Sequence, residues 1–351
     1  MSQWRVLQVG PDLTDIGGME TVLRTYAQAS WSEILVDVVA STTTKGPKAR
    51  AKAFISALGK LRRGHYDVVH VHLSQRGSFL REGALALLTP RGSVRVATLH
   101  GSSFTTSATA PLWRHLYAFV LRRVDGIGVL NDVALAAAQE LSPRTPVLLL
   151  PNPGPFVARS DRRRRSTPPV FFFAGKVGLR KGIDTLLAAW ARVERVRPGA
   201  AHLHIAGPLD LPPHVSTTQL QRHYLGALDP ADVAKHLTTA TAAVLPSTGE
   251  GQPMFLIEAL STGTPMIVTD VGGMPGLAEG CGEVVPVGDP DALADAIVRT
   301  IDSPAHVEQW SAEAVGKYAR LFSHATHEER LLALYDRALS AHSSPREAAR
   351  P

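Results

Sequence analysis

Two glutamates, Glu250 and Glu258, lie eight positions apart in the stretch PSTGEGQPMFLIEALSTGTP, residues 246–265, which leaves a buried-looking strand and turns into an apolar helix. With Glu250 on the loop and Glu258 two turns into the helix, the carboxylates approach a separation of about 10 Å at about 1.5 Å per helical residue. That span suits an extended ligand. One carboxylate can accept hydrogen bonds from sugar hydroxyls and the other from ribose hydroxyls, while open amides at the helix start face a diphosphate. An isolated pair of glutamates is more simply a helix cap and a solvated side chain. The glycines and prolines around this pair favour a ligand.

A second block, FAGKVGLRKG at 173–182, supplies cations. Without a metal, an anionic ligand must be met by cationic side chains and helix N-termini, a need that Lys176 and Lys181 fit. Arg180 beside them reads as a solvated side chain or a helper. Near the N-terminus, Gly17 and Gly18 open a helix after the strand that ends at Gly10-Pro11, an arrangement that lets backbone approach a phosphate. His100-Gly101 follows the strand at 94–99, which places the imidazole at a carboxyl strand end. His70 and His72 alternate along another strand and are read as facing opposite sides, His72 toward an acceptor and His70 against a helix. Ser74 and Arg76, with Ser78, complete a candidate acceptor side. Asp289-Pro290-Asp291 has the look of a metal-binding pair of aspartates, but it directly precedes an apolar-periodic stretch. It reads as an N-cap, a first-turn proline and a dipole-favoured acid. No metal is expected, and no cofactor.

The elements that must hold these residues are short β-branched runs alternating with amphipathic stretches, the pattern of an α/β fold with parallel strands and crossover helices. In the first half, strands are expected at 6–10, 35–40, 68–72, 94–99, 126–130 and 147–150, with helices at 19–29, 77–88, 112–123 and 132–141. In the second, strands are expected at 170–174, 203–206, 242–245, 266–269 and 283–286. Helices fall at 183–196, 230–238, 254–261 and 290–301, and 307–320 and 327–341 close the chain. Each half is a doubly wound parallel sheet, which gives an N-terminal domain over 1–155, a Pro- and Arg-rich linker over 156–169 and a C-terminal domain over 170–351. The last helices are free to pack back on the first domain. Two such domains facing across a cleft would bind ligands at their carboxyl strand ends.

The chain has 351 residues, enough for two domains, and its 44% hydrophobic and 19% charged residues are those of a folded globular protein. Its one cysteine, Cys281, excludes an intrachain disulfide. No apolar run reaches the roughly 18 residues of a membrane span, and the N-terminus enters a strand with no signal-peptide layout, so the expected location is cytoplasmic. The formal charge of +6 points to an acidic partner. Much of it is local, in Lys45, Lys48, Arg50, Lys52, Lys60, Arg62 and Arg63 and in the run from Arg162 to Arg165. Nothing aromatic interleaves with the second run, which disfavours nucleic acid.

The 246–265 stretch, with Gly272-Gly273-Met274-Pro275 behind it, resembles the retaining glycosyltransferases of the large GT-B-fold family four. The resemblance implies two facing Rossmann-like domains and transfer of a sugar from a nucleotide diphosphate. It assigns Glu250 to the transferred sugar, Glu258 to the ribose, Lys176 and Lys181 to the diphosphate, Gly17 and Gly18 to the donor's phosphates and His100 to the donor sugar. Lys176 stands where the family has an arginine, and Gly276 where relatives commonly have a glutamate. Lysine keeps the charge but not the planar two-toothed contact. UDP-sugars are the first expectation for the donor, with GDP open. The segments at 72–78 and 99–104 are similar to relatives that extend bacterial polysaccharides on lipid carriers, and the basic stretch at 45–63 would then rest peripherally on an anionic membrane. A soluble small-molecule acceptor is the alternative. A nucleotide-sugar epimerase and a catalytically inactive nucleotide-sugar binding protein are the rivals of other classes.

Overall fold

The structure, a computed structural model, describes residues 3–15, 17–74, 76–101, 104, 110–154, 165–211 and 218–343. The chain divides into two compact units, Met1–Pro153 with His324–Pro351, and Gly154–Ser323. The expected linker lies outside the described residues as far as residue 164.

In the first unit, β1 (Trp4–Pro11), α1 (Gly18–Gln28), β2 (Ile34–Thr42), α2 (Pro47–Arg63), β3 (Val68–Leu73), α3 (Arg76–Leu88), β4 (Val94–Leu99), α4 (Pro111–Leu121), β5 (Gly126–Val129), α5 (Asp132–Leu141) and β6 (Val147–Leu149) alternate along the chain. The strands form one parallel sheet in the order β2-β1-β3-β4-β5-β6. Its central strands are apolar runs because helices cover both faces, and every residue of β3 is buried. Leu61 of α2, Phe79 and Leu85 of α3, Tyr117 and Leu121 of α4 and Ala138 of α5 share one core with that sheet.

The second unit runs β7 (Val170–Ala174), β8 (Val177–Gly178), a 3-10 turn at Leu179–Lys181, α6 (Ile183–Val196), β9 (His202–Ala206), β10 (Leu209–Asp210), α7 (Thr218–Gln221), α8 (Pro230–Thr239), β11 (Ala242–Leu245), α9 (Met254–Ser261), β12 (Met266–Thr269), α10 (Met274–Ala278), β13 (Gly282–Val285), α11 (Pro290–Asp302) and α12 (Pro304–Leu321). Its main sheet has the order β13-β12-β11-β7-β9, and β8 pairs with β10 in a small sheet of its own. The two-residue strands β8 and β10 carry no readable periodicity, and sequence patterning passes over them.

The last helix, α13 (His324–Ser343), lies in the first unit. It packs Leu331, Leu334, Tyr335 and Ala338 inward, and its Glu328 carboxylate accepts hydrogen bonds from Ser32 Oγ at 2.9 Å and the Glu33 amide at 3.1 Å. The first unit is thus built from both ends of the chain, where a continuous cut at 170–351 would have left α13 with the second.

Counted within each unit, both sheets follow the order 2-1-3-4-5, and the first adds a sixth strand. In this arrangement the chain reverses its direction of travel between strands one and three, and the crevice at their carboxyl ends is where such sheets bind ligands. Those points are the ends of β1 and β3 in the first unit and of β7 and β11 in the second.

Candidate functional site

At the second unit's switch point, the loop after β11 carries Glu250 and the turn after β8 carries Arg180 and Lys181. Lys181 Nζ lies 2.8 Å from a Glu250 carboxylate oxygen, and Arg180 Nη1 donates to the same oxygen at 3.0 Å and to the Gly249 carbonyl at 2.7 Å. The Lys181 and Glu250 side chains are only 14% and 10% exposed, so solvent and salt screen the pair little. Two glycines make this approach possible. Gly182 sits at φ 70°, and a β-carbon there would lie 1.9 Å from the Pro246 carbonyl oxygen, so only glycine can bring the start of α6 against the end of β11. Gly272, at φ 54°, holds a position where a β-carbon would fall 1.8 Å from the Glu250 carbonyl oxygen. The neighbouring Gly273 amide donates to Gly251 at 3.1 Å, which completes a backbone clamp on the Glu250 loop.

Glu258 sits in α9, partly buried, and burial pushes its carboxyl up from 4.5 to about 7. Lys176, at the end of β7, is exposed. Helices α6 and α9 begin with no side-chain cap, at Gly182 and Pro253, whereas α8 and α11 are capped by Asp229 and Asp289. Uncapped starts leave amide groups open to an anion. Asp289 accepts from the Asp291 and Ala292 amides at 3.0 and 2.9 Å, the N-cap role read from its sequence. Among the described residues, no three of His, Cys, Asp and Glu are placed to hold a metal ion.

The first unit's switch point is built differently. His72 and His70 stand two apart on β3, and a strand's period of two puts them on the same side, so the expectation of opposite faces fails. Their rings stack with centroids 4.7 Å apart. His72 is buried and both its nitrogens are engaged, Nδ1 with His100 Nε2 at 2.8 Å and Nε2 with Gln8 Oε1 at 2.7 Å. It backs His100 and presents no free edge to an acceptor. Gln8 Nε2 donates to the Tyr335 hydroxyl at 3.2 Å, which meets His70 Nδ1 at 3.0 Å, and His70 Nε2 meets Thr98 Oγ1 at 2.6 Å. Tyr26 and His327 join the same cluster through a 2.7 Å hydrogen bond. Asn152 hydrogen-bonds His100.

Burial holds these rings neutral. It pulls His70 and His327 down to about 3 and His100 to about 4, and keeps His72 well below the ordinary value. His100 is partly buried at the end of β4. The other candidates are nearer the surface: the half-buried Ser74 donates its amide to Ser78 Oγ at 3.0 Å, and exposed Arg76 lies over the Trp113 ring at 5.0 Å. Gly17 and Gly18 start α1 without a side-chain cap. Sequence reading missed Gln8, Tyr26, His327 and Tyr335. Gln8 and Tyr26 carry a weak signal, a polar residue in an apolar strand and an aromatic on a buried helix face. Tyr335 and His327 carry none, because a position on the last helix says nothing of its distance from β3.

Two doubly wound α/β units, one with an ion-paired carboxylate at its switch point, define the fold class of the chain. Residues 168–303 match the model of the family described as Glycosyl transferases group 1. Glycogen synthase of Mycobacterium tuberculosis is 26% identical over 300 residues, which cover 78% of this chain and 69% of that protein. Phosphatidyl-myo-inositol mannosyltransferase of the same organism is 28% identical over 267 residues, 72% of this chain and 69% of its own. The crystal structure of HepE from Anabaena in complex with UDP and glucose superposes with a TM-score of 0.69 at 14% identity, covering 94% of this chain and 99% of that one. The 168–303 segment belongs to the glycosyl transferases group 1, and the chain that carries it is a glycosyltransferase with the α/β fold of GT-B enzymes.

Proposed function

We propose that this chain is a metal-independent, retaining transferase that moves a hexose-type sugar from a UDP-sugar to a lipid-linked saccharide in bacterial polysaccharide or glycolipid synthesis. The observation that carries the reading is the shielded Lys181–Glu250 pair between the uncapped starts of α6 and α9. In this reading Lys181, exposed Lys176 and the two helix starts neutralise the departing diphosphate, the task a metal would otherwise perform. Arg180 and Lys181 hold the Glu250 carboxylate in place, so that it accepts hydrogen bonds from the transferred sugar. Glu258 accepts from the ribose, His100 positions the sugar, Gly17 and Gly18 give backbone amides to the donor's phosphates, and Ser74 and Arg76 border the acceptor. Glu250 is assigned positioning and not attack, and the donor's own phosphate takes the acceptor's proton.

The UDP in the HepE structure supports uridine as the base, and the phosphatidyl-myo-inositol mannosyltransferase supports a lipid-borne acceptor. Such an acceptor would bring the enzyme to the cytoplasmic face of a membrane, and no helix among the described residues is long and apolar enough to cross one. Turnover of UDP-sugars with lipid-linked saccharides in the presence of a chelator, with the product's anomeric configuration read by NMR, tests the proposal. Retention of configuration at full rate in chelator is expected. Inversion, or activity that returns only with a divalent metal, would overturn it.

A further inference from the structure

Gln8 is a fully buried amide on β1, flanked along the strand by the equally buried Leu7 and Val9. An amide in such a place costs free energy that an apolar side chain would not, unless its hydrogen bonds are made. It joins two arms. One runs from Gln8 Oε1 to His72 Nε2 at 2.7 Å and from His72 Nδ1 to His100 Nε2 at 2.8 Å. The other runs from Gln8 Nε2 to the Tyr335 hydroxyl at 3.2 Å, on to His70 Nδ1 at 3.0 Å, and from His70 Nε2 to Thr98 Oγ1 at 2.6 Å.

The groups along these arms differ in one respect. A neutral imidazole has one N–H and one lone pair and exchanges them by changing tautomer, and a hydroxyl donates or accepts by turning its proton. An amide does neither: its oxygen only accepts and its nitrogen only donates. Burial keeps His70, His72 and His100 neutral, so the direction of one link fixes all the others. Because Gln8 Oε1 accepts, His72 Nε2 carries the hydrogen and His72 Nδ1 is a lone pair. His100 Nε2 then donates to that lone pair, which leaves His100 Nδ1 unprotonated. On the far arm Gln8 Nε2 donates to Tyr335, the Tyr335 proton goes to His70 Nδ1, and His70 Nε2 donates to Thr98. Every donor meets an acceptor in this direction, and turning the Gln8 amide over would reverse every bond. The Asn152 side chain hydrogen-bonds the His100 ring and can donate to the Nδ1 lone pair, as a sugar hydroxyl can.

We infer that Gln8 is a positioning residue for sugar transfer: through His72 it fixes His100 in the tautomer protonated at Nε2, so that Nδ1 is offered as an acceptor to a hydroxyl of the donor sugar. The amide touches no substrate and acts by choosing which way a chain of interchangeable groups points. An amide present only to satisfy buried groups would serve equally well in either direction. The contact with the sugar rests on the role of His100 proposed above, whereas the tautomer follows from the hydrogen bonds of the first unit alone.

Nitrogen NMR of the full chain labelled in its histidine rings tests it, with the His100 signals assigned by their loss in His100→Asn. In the wild type a single tautomer is expected, Nε2 protonated and Nδ1 bare. Gln8→Met leaves His72 Nε2 without its acceptor, so the His100 signals should move toward the opposite tautomer. In the same variant kcat for UDP-sugar turnover should fall about tenfold, the worth of one hydrogen bond, with UDP affinity unchanged. Leu334→Ala, a core truncation on the helix that carries Tyr335, should lower stability and leave both the His100 signals and kcat as they are. A wild-type His100 that is protonated at Nδ1 or mixed between tautomers would overturn the inference, and this reading needs no variant to fold. So would a single tautomer that Gln8→Met does not move, or a moved tautomer with kcat unchanged. Absence of turnover with any UDP-sugar in the wild type, with the tautomer as expected, would overturn the sugar contact and the function proposed above while leaving the tautomer assignment to Gln8 upheld.

Discussion

The two switch points share a strand order and use opposite electrostatics. In the second unit the crevice is lined by ions: Lys181 and Arg180 on Glu250, with exposed Lys176 alongside. In the first, the corresponding place is filled by neutral rings that satisfy one another, from His100 through His72, Gln8 and Tyr335 to His70 and Thr98. The diphosphate proposed for the second unit needs fixed positive charge and open amides, which a loop and two uncapped helices provide. The network behind His100 instead orders that ring, at the cost of burying imidazoles that can no longer take up protons. Charge is thus concentrated in the second unit's crevice, and neutral polarity where the His100 ring is held in the first.

The largest expected effect comes from the backbone that makes the ionic site. Gly182→Ala puts a β-carbon against the Pro246 carbonyl at a left-handed backbone position, and should cost about 3 kcal/mol in chemical denaturation along with most UDP binding. If the variant melts like the wild type, the approach of α6 to β11 is not a rigid part of the site.

On the neutral side, Tyr335→Phe removes the hydroxyl between Gln8 and His70 and leaves both with a buried unpaired group. A loss of about 2 kcal/mol is expected, with nucleotide binding intact. Loss of nucleotide affinity at unchanged stability would show that the two regions are coupled.

Titration should separate the units by sign. His70, His327 and His100, held near 3 to 4 against an ordinary 6.5, cannot protonate in the folded state while the unfolded chain can. Their contribution to stability is therefore present above about pH 6.5 and is lost as pH falls toward 4. Glu258, raised from 4.5 to about 7, keeps its proton in the fold while the unfolded chain ionises. Its contribution is complete below pH 4.5 and is lost as pH rises through 7. The Glu258→Gln variant should flatten the loss between pH 4.5 and 7 in a denaturation series and leave the acid-side loss in place. A curve unchanged by the substitution would contradict the burial of that carboxyl. The smallest effect is that of Asp289→Ala, about 1 kcal/mol for a lost helix cap with no change in metal content or turnover.

Much of the ionic region is legible in the sequence because it is local: Lys176, Arg180, Lys181, Glu250 and Glu258 lie in two short blocks whose glycines and apolar runs announce a turn and a helix. The strands are legible for the same reason, as runs of Val, Ile and Leu that end where loops begin. The neutral network is not. Gln8, Tyr26, His72, His100, His327 and Tyr335 come from five separate places in the chain, the last two sharing the final helix, and the pairing of that helix with the first sheet is a tertiary fact that no local pattern carries. The stacking of His70 on His72 was available from strand periodicity alone, since positions two apart share a face.

The most direct test is calorimetric titration of UDP into the chain in the presence of a chelator, repeated with Lys181→Ala and Glu258→Ala. Saturable binding that weakens about a hundredfold in each variant is the expected result. Failure of UDP to bind without a divalent metal, or undiminished binding in both variants, would contradict the donor site assigned to the second unit.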